Sequence, residues 1–175
     1  AEVQEVLEEQ RLRAMSDPLT GLPNRAAYDE CIATQRALSI SNGSPLTLVV
    51  ADLDHFKEVN DNFGHLAGDK VLRLVAKILR GGLRESDVIC RYGGEEFVIV
   101  LPATNANEGV AVMEKLRRIM EQSPFNFKGQ PVRVTMSFGV AENRPDEDPD
   151  SLFARADSAM YEAKKAGRNR SIVAD

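Results

Sequence analysis

Four carboxylates stand at the ends of two strongly apolar segments. Asp52 and Asp54 follow the run 46–51, and Glu95 and Glu96 precede the run 97–101. Crowded carboxylates repel each other, and a divalent cation held between them removes that conflict. If the two segments are neighbouring strands, the carboxylates meet at one rim, as metal-assisted phosphoryl or nucleotidyl transfer requires. Spacing alone is equally consistent with two unrelated acidic turns on an acidic protein.

Few other metal-binding side chains are present, which limits the kind of ion. The chain has two histidines, His55 and His65, and two cysteines, Cys31 and Cys90. These are too few for a three-histidine site or a four-thiolate zinc site. We therefore expect an oxygen-bound ion such as Mg²⁺, Mn²⁺ or Ca²⁺. The cysteines are interpreted as buried apolar side chains in a reducing compartment.

The composition excludes several classes of protein. The 175 residues include 22 Lys and Arg against 27 Asp and Glu, a formal net charge of −5, and 43% are hydrophobic. A dedicated nucleic-acid binder normally has a basic face, so no nucleic-acid partner is expected. No apolar run approaches the ~20 residues of a membrane span, so no direct membrane contact is expected either. The length fits one domain with a sizeable core.

Hydrophobic periodicity and turn residues predict an alternation of helices and strands. Helices are predicted over 1–15, 23–38, 55–62, 68–80, 107–122 and 151–166, and strands over 46–51, 87–92, 95–101, 125–127, 132–141 and 171–173. Gly93 and Gly94 predict a two-residue hairpin loop. One crossover mixed with hairpins indicates an α+β sheet with helices on one face. Asp54 is interpreted as the N-cap of the helix at His55 rather than as a ligand.

Residues 1–16 form a segment distinct from the domain predicted over 17–175. They are rich in helix formers and carry a thin apolar stripe at Val3, Val6, Leu7 and Leu12. Such a stripe is typical of a linker helix that ends a coiled coil, so we expect an upstream sensor or regulatory domain in a longer protein. A disordered end is the alternative.

Four separated segments, in order, resemble the GGDEF domain, the catalytic module of bacterial diguanylate cyclases. They are DPLTGLPNR at 17–25, DLDHFKEVNDNFGHLAGD at 52–69, RYGGEEF at 91–97 and YEAKKAGRN at 161–169. The resemblance runs from about residue 17 to 173. It implies an α+β fold with a central, mainly antiparallel sheet, a ferredoxin-like, nucleotidyl-cyclase palm core flanked by helices, and the linker helix outside it.

The resemblance also implies an activity. Members of this family condense two GTP into cyclic di-GMP and release pyrophosphate, each 3′-hydroxyl attacking the other α-phosphate. The product is two-fold symmetric, so a cytoplasmic homodimer that places two sites face to face is expected. The implied cofactor is Mg²⁺, with Mn²⁺ as the alternative, at two ions per active site.

Site roles follow from the matching positions. The implied metal ligands are Asp52, the Leu53 carbonyl, Glu95 and Glu96, with Glu95 either a ligand or the acceptor of the 3′-hydroxyl proton. Lys57 joins the three carboxylates as a catalytic residue. The implied GTP contacts are Phe56, Lys57, Asn60, His65, Asp69, Gly93, Gly94, Lys164 and Arg168.

Guanine recognition is assigned to Asn60 and Asp69. A carboxylate accepts from the N1–H and the exocyclic amine of guanine, a donor pair that adenine lacks. Relatives that make the mixed GMP-AMP product tend to carry Ser at position 69, so Asp69 favours the di-GMP product. A helix cap is the structural alternative for Asp69. Lys164 and Arg168 are expected near the terminal phosphates.

A second motif, Arg84 to Asp87, resembles the family's RxxD inhibitory site. Its Arg can stack on guanine and bond the Hoogsteen edge, while its Asp accepts from the Watson–Crick edge. Cyclic di-GMP is therefore expected to act as an allosteric inhibitor as well as the product. An ordinary charged turn before a strand is the alternative.

Three other functions are alternatives to this activity. A non-catalytic receptor for GTP or cyclic di-GMP would be favoured by the loss of a key residue, but Asp52, Asn60, Asp69, Glu95 and Glu96 are all present. A polymerase-like or adenylyl-cyclase-like palm shares the metal chemistry, although an acidic chain suits no nucleic-acid template. A purely structural dimerisation module is supported only by the first helix.

Overall fold

The computed structural model describes all residues, 1–175. In chain order the elements are α1 (Glu2–Ala14), α2 (Arg25–Asn42), β1 (Leu46–Leu53), α3 (Phe56–Phe63), α4 (His65–Gly81), β2 (Val88–Arg91), β3 (Glu96–Pro102), α5 (Ala106–Gln122), β4 (Asn126–Phe127), β5 (Gln130–Pro131), β6 (Met136–Glu142), α6 (Pro149–Lys165) and β7 (Arg170–Val173).

A five-stranded sheet organises the domain in the order β2-β3-β1-β6-β7. The central strand, β1, is antiparallel to both β3 and β6, and only β7 runs parallel to its neighbour, β6. The short β4–β5 hairpin lies outside this sheet. The mixed but mainly antiparallel sheet confirms the predicted α+β class.

The helices cover both faces of the sheet, so the expectation of a single helical face was wrong. Alternate residues of β1 enter two separate cores: Val49, Ala51 and Leu53 pack on the side of α4 and α5, whereas Leu48 and Val50 pack on the side of α2 and α6. A strand without polar alternation has no face that can be left in water. The apolar sequence of β1 therefore requires a helical layer on each side.

Close contact between α6 and β6 depends on one glycine. A Cβ added to Gly139 would lie 2.0 Å from the Ala156 carbonyl oxygen and 2.3 Å from the Met160 amide nitrogen. Any side chain there would push α6 off the sheet. This close contact holds α6, which carries Lys164, against the sheet.

Several predicted boundaries needed correction. The α4 helix begins at His65, before the predicted residue 68, and β6 begins at Met136 because the preceding residues 132–135 form no regular strand. The β2–β3 connection is residues 92–95 rather than two glycines, and neither Gly93 nor Gly94 has a positive φ. The glycines are therefore not required by a primed turn.

The first helix buries little of its surface against the domain. No residue of α1 is buried, and Val3, Val6, Leu7 and Leu12 are all more than half exposed. The apolar side chains of α1 are thus accessible to solvent. None of the helices has the length and apolar character needed to cross a membrane.

Candidate active site

Strand register brings the two predicted acidic pairs together. Asp52 on β1 is the direct partner of Glu96 on β3, and the Leu53 amide donates to the Glu95 carbonyl at 3.1 Å. Directly opposed residues of an antiparallel pair project from the same face. The carboxylates of Asp52 and Glu96 therefore lie side by side, with Glu95 at the adjoining turn.

The glycine loop is held in place by backbone and arginine contacts. The amides of Tyr92 and Gly93 both donate to the Glu96 carbonyl, at 2.8 and 3.2 Å. The Arg91 guanidinium donates to the Gly94 carbonyl at 2.8 Å and pairs with Asp17 at 3.0 Å. Burial alone would raise the pKa of Asp17, but its hydrogen bonds from Thr20 and Arg91 lower it overall. The motif at 17–25 thus anchors the loop.

Burial and mutual repulsion raise the pKa of Asp52, Glu95 and Glu96. Desolvation and then Asp52 raise the pKa of Glu95, while desolvation raises that of Asp52 against the opposing effect of Lys164. For Glu96, desolvation and the charges of Asp157, Asp52 and Glu95 together raise the pKa to about 7. This cluster is therefore an unfavourable place for several negative charges unless a cation is near.

Asp157 on α6 is a fifth carboxylate that the sequence analysis did not identify. Its pKa is raised by desolvation and by Asp52, and its own charge raises that of Glu96. The available signal was its spacing of seven residues from Lys164, which places both on one helix face. Arg25 was not identified either. Its guanidinium lies 4.6 Å above the Tyr92 ring, and its charge opposes the rise in the pKa of Glu96.

Asp54 is a buried acceptor, so its prediction as a helix N-cap was wrong. Its side chain is 0% exposed and accepts hydrogen bonds from Thr135 Oγ1 at 2.8 Å, Ser137 Oγ at 2.7 Å and the Asn169 amide at 3.0 Å. The N-cap position of α3 is His55, which makes no side-chain capping bond. Buried carboxylates need such partners more than a short helix needs a cap.

Lys164 contacts the oxygens that the resemblance assigns to a metal ion. Its Nζ lies 2.7 Å from Asp52 Oδ1, 3.1 Å from the Leu53 carbonyl and 3.4 Å from Asp54 Oδ1. Carboxylate and carbonyl oxygens are also the donor types that Mg²⁺ prefers. No three acidic, imidazole or thiolate side chains converge into a complete metal centre. The full predicted set of four ligands is therefore not assembled around one point.

The predicted guanine residues lie on two helices in close contact. Asn60 on α3 faces α4, where a Cβ added to Gly68 would lie 2.0 Å from Asn60 Oδ1. Asp69 follows directly on α4, inside the helix, so the alternative that it caps α4 was wrong. Phe56 also packs against Gly68. The structure thus brings Asn60 and Asp69 into neighbouring positions.

The remaining predicted GTP contacts outside the glycine loop, Lys57, His65 and Arg168, are all exposed. Lys57 is exposed on α3, and His65 is exposed at the start of α4. Arg168 lies beyond the end of α6, in a turn where both it and Asn169 have positive φ, 63° and 47°. Its guanidinium makes no ion pair and remains exposed.

The residues of the predicted inhibitory site are bound to each other. Arg84 Nη2 pairs with Asp87 Oδ1 at 2.9 Å and also donates to the Pro102 carbonyl at 2.7 Å. The Asp87 side chain is only 4% exposed, whereas that of Arg84 is 55% exposed. Arg84 is accessible to a ligand, but Asp87 is covered in this arrangement.

Comparison with known proteins agrees with this geometry. Residues 14–170 match the family described as diguanylate cyclase, GGDEF domain. The chain is 51% identical over 168 residues to diguanylate cyclase DgcP of Pseudomonas aeruginosa, covering 96% of this chain and 25% of DgcP. It is 38% identical over 166 residues to diguanylate cyclase DgcZ of Escherichia coli, covering 94% of this chain and 55% of DgcZ. The chain thus spans between a quarter and about half of these relatives.

A solved structure shows the same fold. The coiled coil and GGDEF domain of DgcB from Caulobacter crescentus, in complex with c-di-GMP, superimposes with a TM-score of 0.94 at 34% identity. The match covers 99% of this chain and 92% of that one. The family resemblance and the palm-like α+β fold are both confirmed. This chain belongs to the diguanylate cyclase GGDEF-domain family.

Proposed function

We propose that this chain is a diguanylate cyclase domain, which condenses two GTP into cyclic di-GMP and releases pyrophosphate. The observation that carries the proposal is the β1–β3 register, which sets Asp52 against Glu96 with Glu95 and the glycine loop beside them. The activity of the named relatives DgcP and DgcZ supports it.

Asp52, Glu96, Glu95 and the Leu53 carbonyl would hold the divalent ions, Mg²⁺ or Mn²⁺, two per active site. Such ions neutralise the phosphates and polarise the attacking and leaving oxygens of an in-line displacement. The pKa values of Asp52, Glu95 and Glu96 are raised because their negative charges are poorly compensated, and a bound cation would compensate them, which supports this role. Lys164 shares two of these oxygens, so ion binding requires its ammonium to turn away.

Lys164 and Arg168 would then engage the terminal phosphates, with Lys57 and the Phe56 amide beside them. The Lys164 ammonium stands on a flexible four-carbon stem and can swing away from the carboxylate. A nearby phosphate would then replace the negative charge that it leaves. Gly93 and Gly94 leave open space at the loop: a Cβ on Gly94 would meet nothing within 4 Å. A nucleotide can therefore approach the backbone there without a side chain in the way.

Asn60 and Asp69 would read the guanine edge, with His65 at the entrance. Their position on two tightly packed helices fixes the distance between them, which favours discrimination by hydrogen bonds. Glu95 would lie nearest the incoming 3′-hydroxyl. It would act there either as a ligand of an ion that binds the hydroxyl or as the acceptor of the hydroxyl proton.

One such site holds one GTP, so two chains must face each other about a two-fold axis. The apolar stripe of α1 supports residues 1–16 as a linker helix that raises the local concentration of partners, separate from the catalytic domain 17–175. An upstream sensor or regulatory domain in a longer, cytoplasmic protein would control this pairing. Specific activity should accordingly rise with protein concentration, and a constant value over a wide dilution range would contradict the dimer.

Cyclic di-GMP would also inhibit by binding at Arg84 and Asp87, holding two domains apart in an unproductive arrangement. Arg84 is exposed enough to stack on a guanine, but it must release Asp87 first. An Arg84→Ala variant should lose most product inhibition. Inhibition as strong as in the parent would contradict this site.

The activity itself is tested by incubating the chain with GTP and Mg²⁺ and identifying the product by chromatography. Asp52→Asn should abolish formation of cyclic di-GMP. Asp146→Asn, at an exposed position without hydrogen bonds, is the matched control and should leave the rate unchanged. Full activity in Asp52→Asn would overturn the assignment.

A further inference from the structure

Lys164 is the only lysine of the chain that is not exposed to solvent. Its side chain is 19% exposed, whereas that of the adjacent Lys165 is 74% exposed. The Lys164 ammonium lies 2.7 Å from Asp52 Oδ1 and 3.1 Å from the Leu53 carbonyl oxygen, at the end of β1. A charge that is largely withdrawn from water needs such oxygen partners to hold it there.

The two aspartates beside this ammonium depend on it to different degrees. Asp54 is completely buried, but it already accepts from two hydroxyls and a backbone amide, and its Oδ1 lies 3.4 Å from the ammonium. The Asp52 carboxylate makes no ion pair except the one with Lys164. The ammonium is therefore the counter-charge of Asp52, the carboxylate that the strand register places opposite Glu96.

The ammonium and a divalent ion would compete for the same oxygens. An ion held by Asp52 and the Leu53 carbonyl would lie where the Lys164 ammonium now makes both contacts. Two cations at contact distance repel each other strongly in a half-buried place. Occupation of these oxygens by the ammonium and occupation by an ion therefore exclude each other.

We propose that Lys164 is a resident substitute for the divalent ion, which occupies the ion site in the metal-free chain and has to leave before an ion binds. The affinity for the ion alone is thereby reduced to the fraction of molecules in which the site is free. An ammonium that occupies the site in about nine of ten molecules weakens ion binding about tenfold. The competition itself requires only the contacts of Lys164, whereas the transfer of the released ammonium to an anionic substrate rests on the proposed function.

This exchange couples the binding of the ion to the binding of the substrate. An anionic substrate that accepts the ammonium leaves the ion site free, and an ion that occupies the site releases the ammonium. Each ligand therefore raises the affinity for the other by the same factor. The flexible stem of lysine allows this movement while α6 stays seated on Gly139. The chain would thus bind a free divalent ion poorly and take it up together with the nucleotide.

The affinity for Mg²⁺ in the absence of nucleotide tests the competition. Lys164→Met removes the ammonium and keeps an unbranched stem, and calorimetric titration of the metal-free chain measures the binding of Mg²⁺ alone. Lys165→Met is the matched control, because it removes the same charge from the neighbouring, exposed position. Lys164→Met should bind Mg²⁺ about tenfold more tightly than the wild type, and Lys165→Met should bind it like the wild type. Equal Mg²⁺ affinity in Lys164→Met and the wild type would overturn the proposal.

A titration with 3′-deoxy-GTP tests the coupling, because this nucleotide has the triphosphate but no 3′-hydroxyl that could react. Its affinity is measured in EDTA and in saturating Mg²⁺, for the wild type and for Lys164→Met. Mg²⁺ should strengthen its binding about tenfold more in the wild type than in Lys164→Met. The same strengthening in both chains would contradict the exchange.

A third measurement uses the wild-type chain and does not depend on the folding of a variant. Lysine amines are acetylated with acetic anhydride, and the modified positions are identified by mass spectrometry. In EDTA, Lys164 should react at least about tenfold more slowly than Lys165, because its ammonium is held by Asp52 and the Leu53 carbonyl. Saturating Mg²⁺ should raise the rate at Lys164 and leave the rate at Lys165 unchanged. A Lys164 rate that does not respond to Mg²⁺ would overturn the proposal.

The two proposals fail in different ways. Mg²⁺ binding that tightens in Lys164→Met, in a wild-type chain that makes no cyclic di-GMP, would support the competition and refute the proposed function. Normal synthesis of cyclic di-GMP by the wild type, with a Mg²⁺ affinity that is indifferent to Lys164, would refute the competition alone.

Discussion

Replacing Glu96 by glutamine should stabilise the fold in EDTA while it abolishes turnover. The pKa of Glu96 rises from its ordinary 4.5 to about 7 because the carboxyl is desolvated and lies near Asp157, Asp52 and Glu95. At pH 8 the folded chain must therefore carry a charge that it accommodates poorly. Glutamine has nearly the same shape without the charge, so the repulsion disappears.

The size of the effect follows from the shift. The difference between 4.5 and about 7 corresponds to roughly 3 kcal/mol at about 1.4 kcal/mol per pH unit. Glu96 is only partly buried, and solvent screening reduces the effect to about 1–2 kcal/mol. A carboxyl whose pKa is higher in the folded state than in the unfolded state destabilises the fold. This destabilisation is complete at pH values above the folded-state pKa and absent at pH values below the unfolded-state pKa. The advantage of Glu96→Gln should thus be complete above pH 7 and vanish towards pH 4.5.

Urea denaturation in EDTA at pH 8 and pH 5 measures this directly. Glu85→Gln, at an exposed position without an ion pair, is the control and should not change stability at either pH. Added Mg²⁺ should stabilise the wild type more than Glu96→Gln, because binding to the folded state requires the carboxylate. The electrostatic reasoning would be refuted if Glu96→Gln were no more stable than wild type at pH 8, or if its gain in stability over wild type were the same at pH 8 and pH 5.

Three further substitutions test how the site is held. Asp54→Asn should lower the free energy of unfolding by about 2–4 kcal/mol, because an amide replaces a fully buried carboxylate that accepts three strong hydrogen bonds. A loss below about 1 kcal/mol in a urea titration would contradict the structural role of Asp54. Gly68→Ala places a methyl group on Asn60 Oδ1 and should raise the KM for GTP about tenfold, a displacement cost near 1.4 kcal/mol; steady-state rates with an unchanged KM would show that the α3–α4 contact does not set guanine binding. Arg91→Ala breaks the pair with Asp17 and frees the glycine loop, so thermal unfolding should show a loss of about 2 kcal/mol together with a lower kcat; an unaltered kcat would mean that the loop needs no such anchor.

The sequence could predict the elements that carry the carboxylates. Two apolar runs flanked by acidic residues were consistent either with neighbouring strands or with two unrelated acidic turns, and the register of Asp52 against Glu96 shows that they are neighbouring strands. The uninterrupted apolar sequence of β1 also contained the information that both sheet faces are covered. The expectation of a one-sided helical layer came from element order alone, which does not determine how the helices divide between faces.

The contacts made by Asp54 and Lys164 could not be predicted, because they join residues more than 80 positions apart. Asp54 before a short helix has the local pattern of an N-cap, but Thr135 and Ser137 outcompete that local use. Lys164 was expected near phosphates, and its contact with Asp52 depends on how Gly139 seats α6 against the sheet. Local patterns identify such residues, and only tertiary packing identifies their partners.

The bonds from residues 164 and 169 back to Leu53 and Asp54 impose an order on biosynthesis. A ribosome-bound chain can pair β1 with β3 early, yet the buried Asp54 carboxylate after β1 gains its last donor, the Asn169 amide, only when the segment after α6 has left the exit tunnel. Until then Asp54 stays hydrated and the centre cannot close. The arrangement of Leu53, Asp54 and Lys164 is therefore completed only after almost all of the domain has been made.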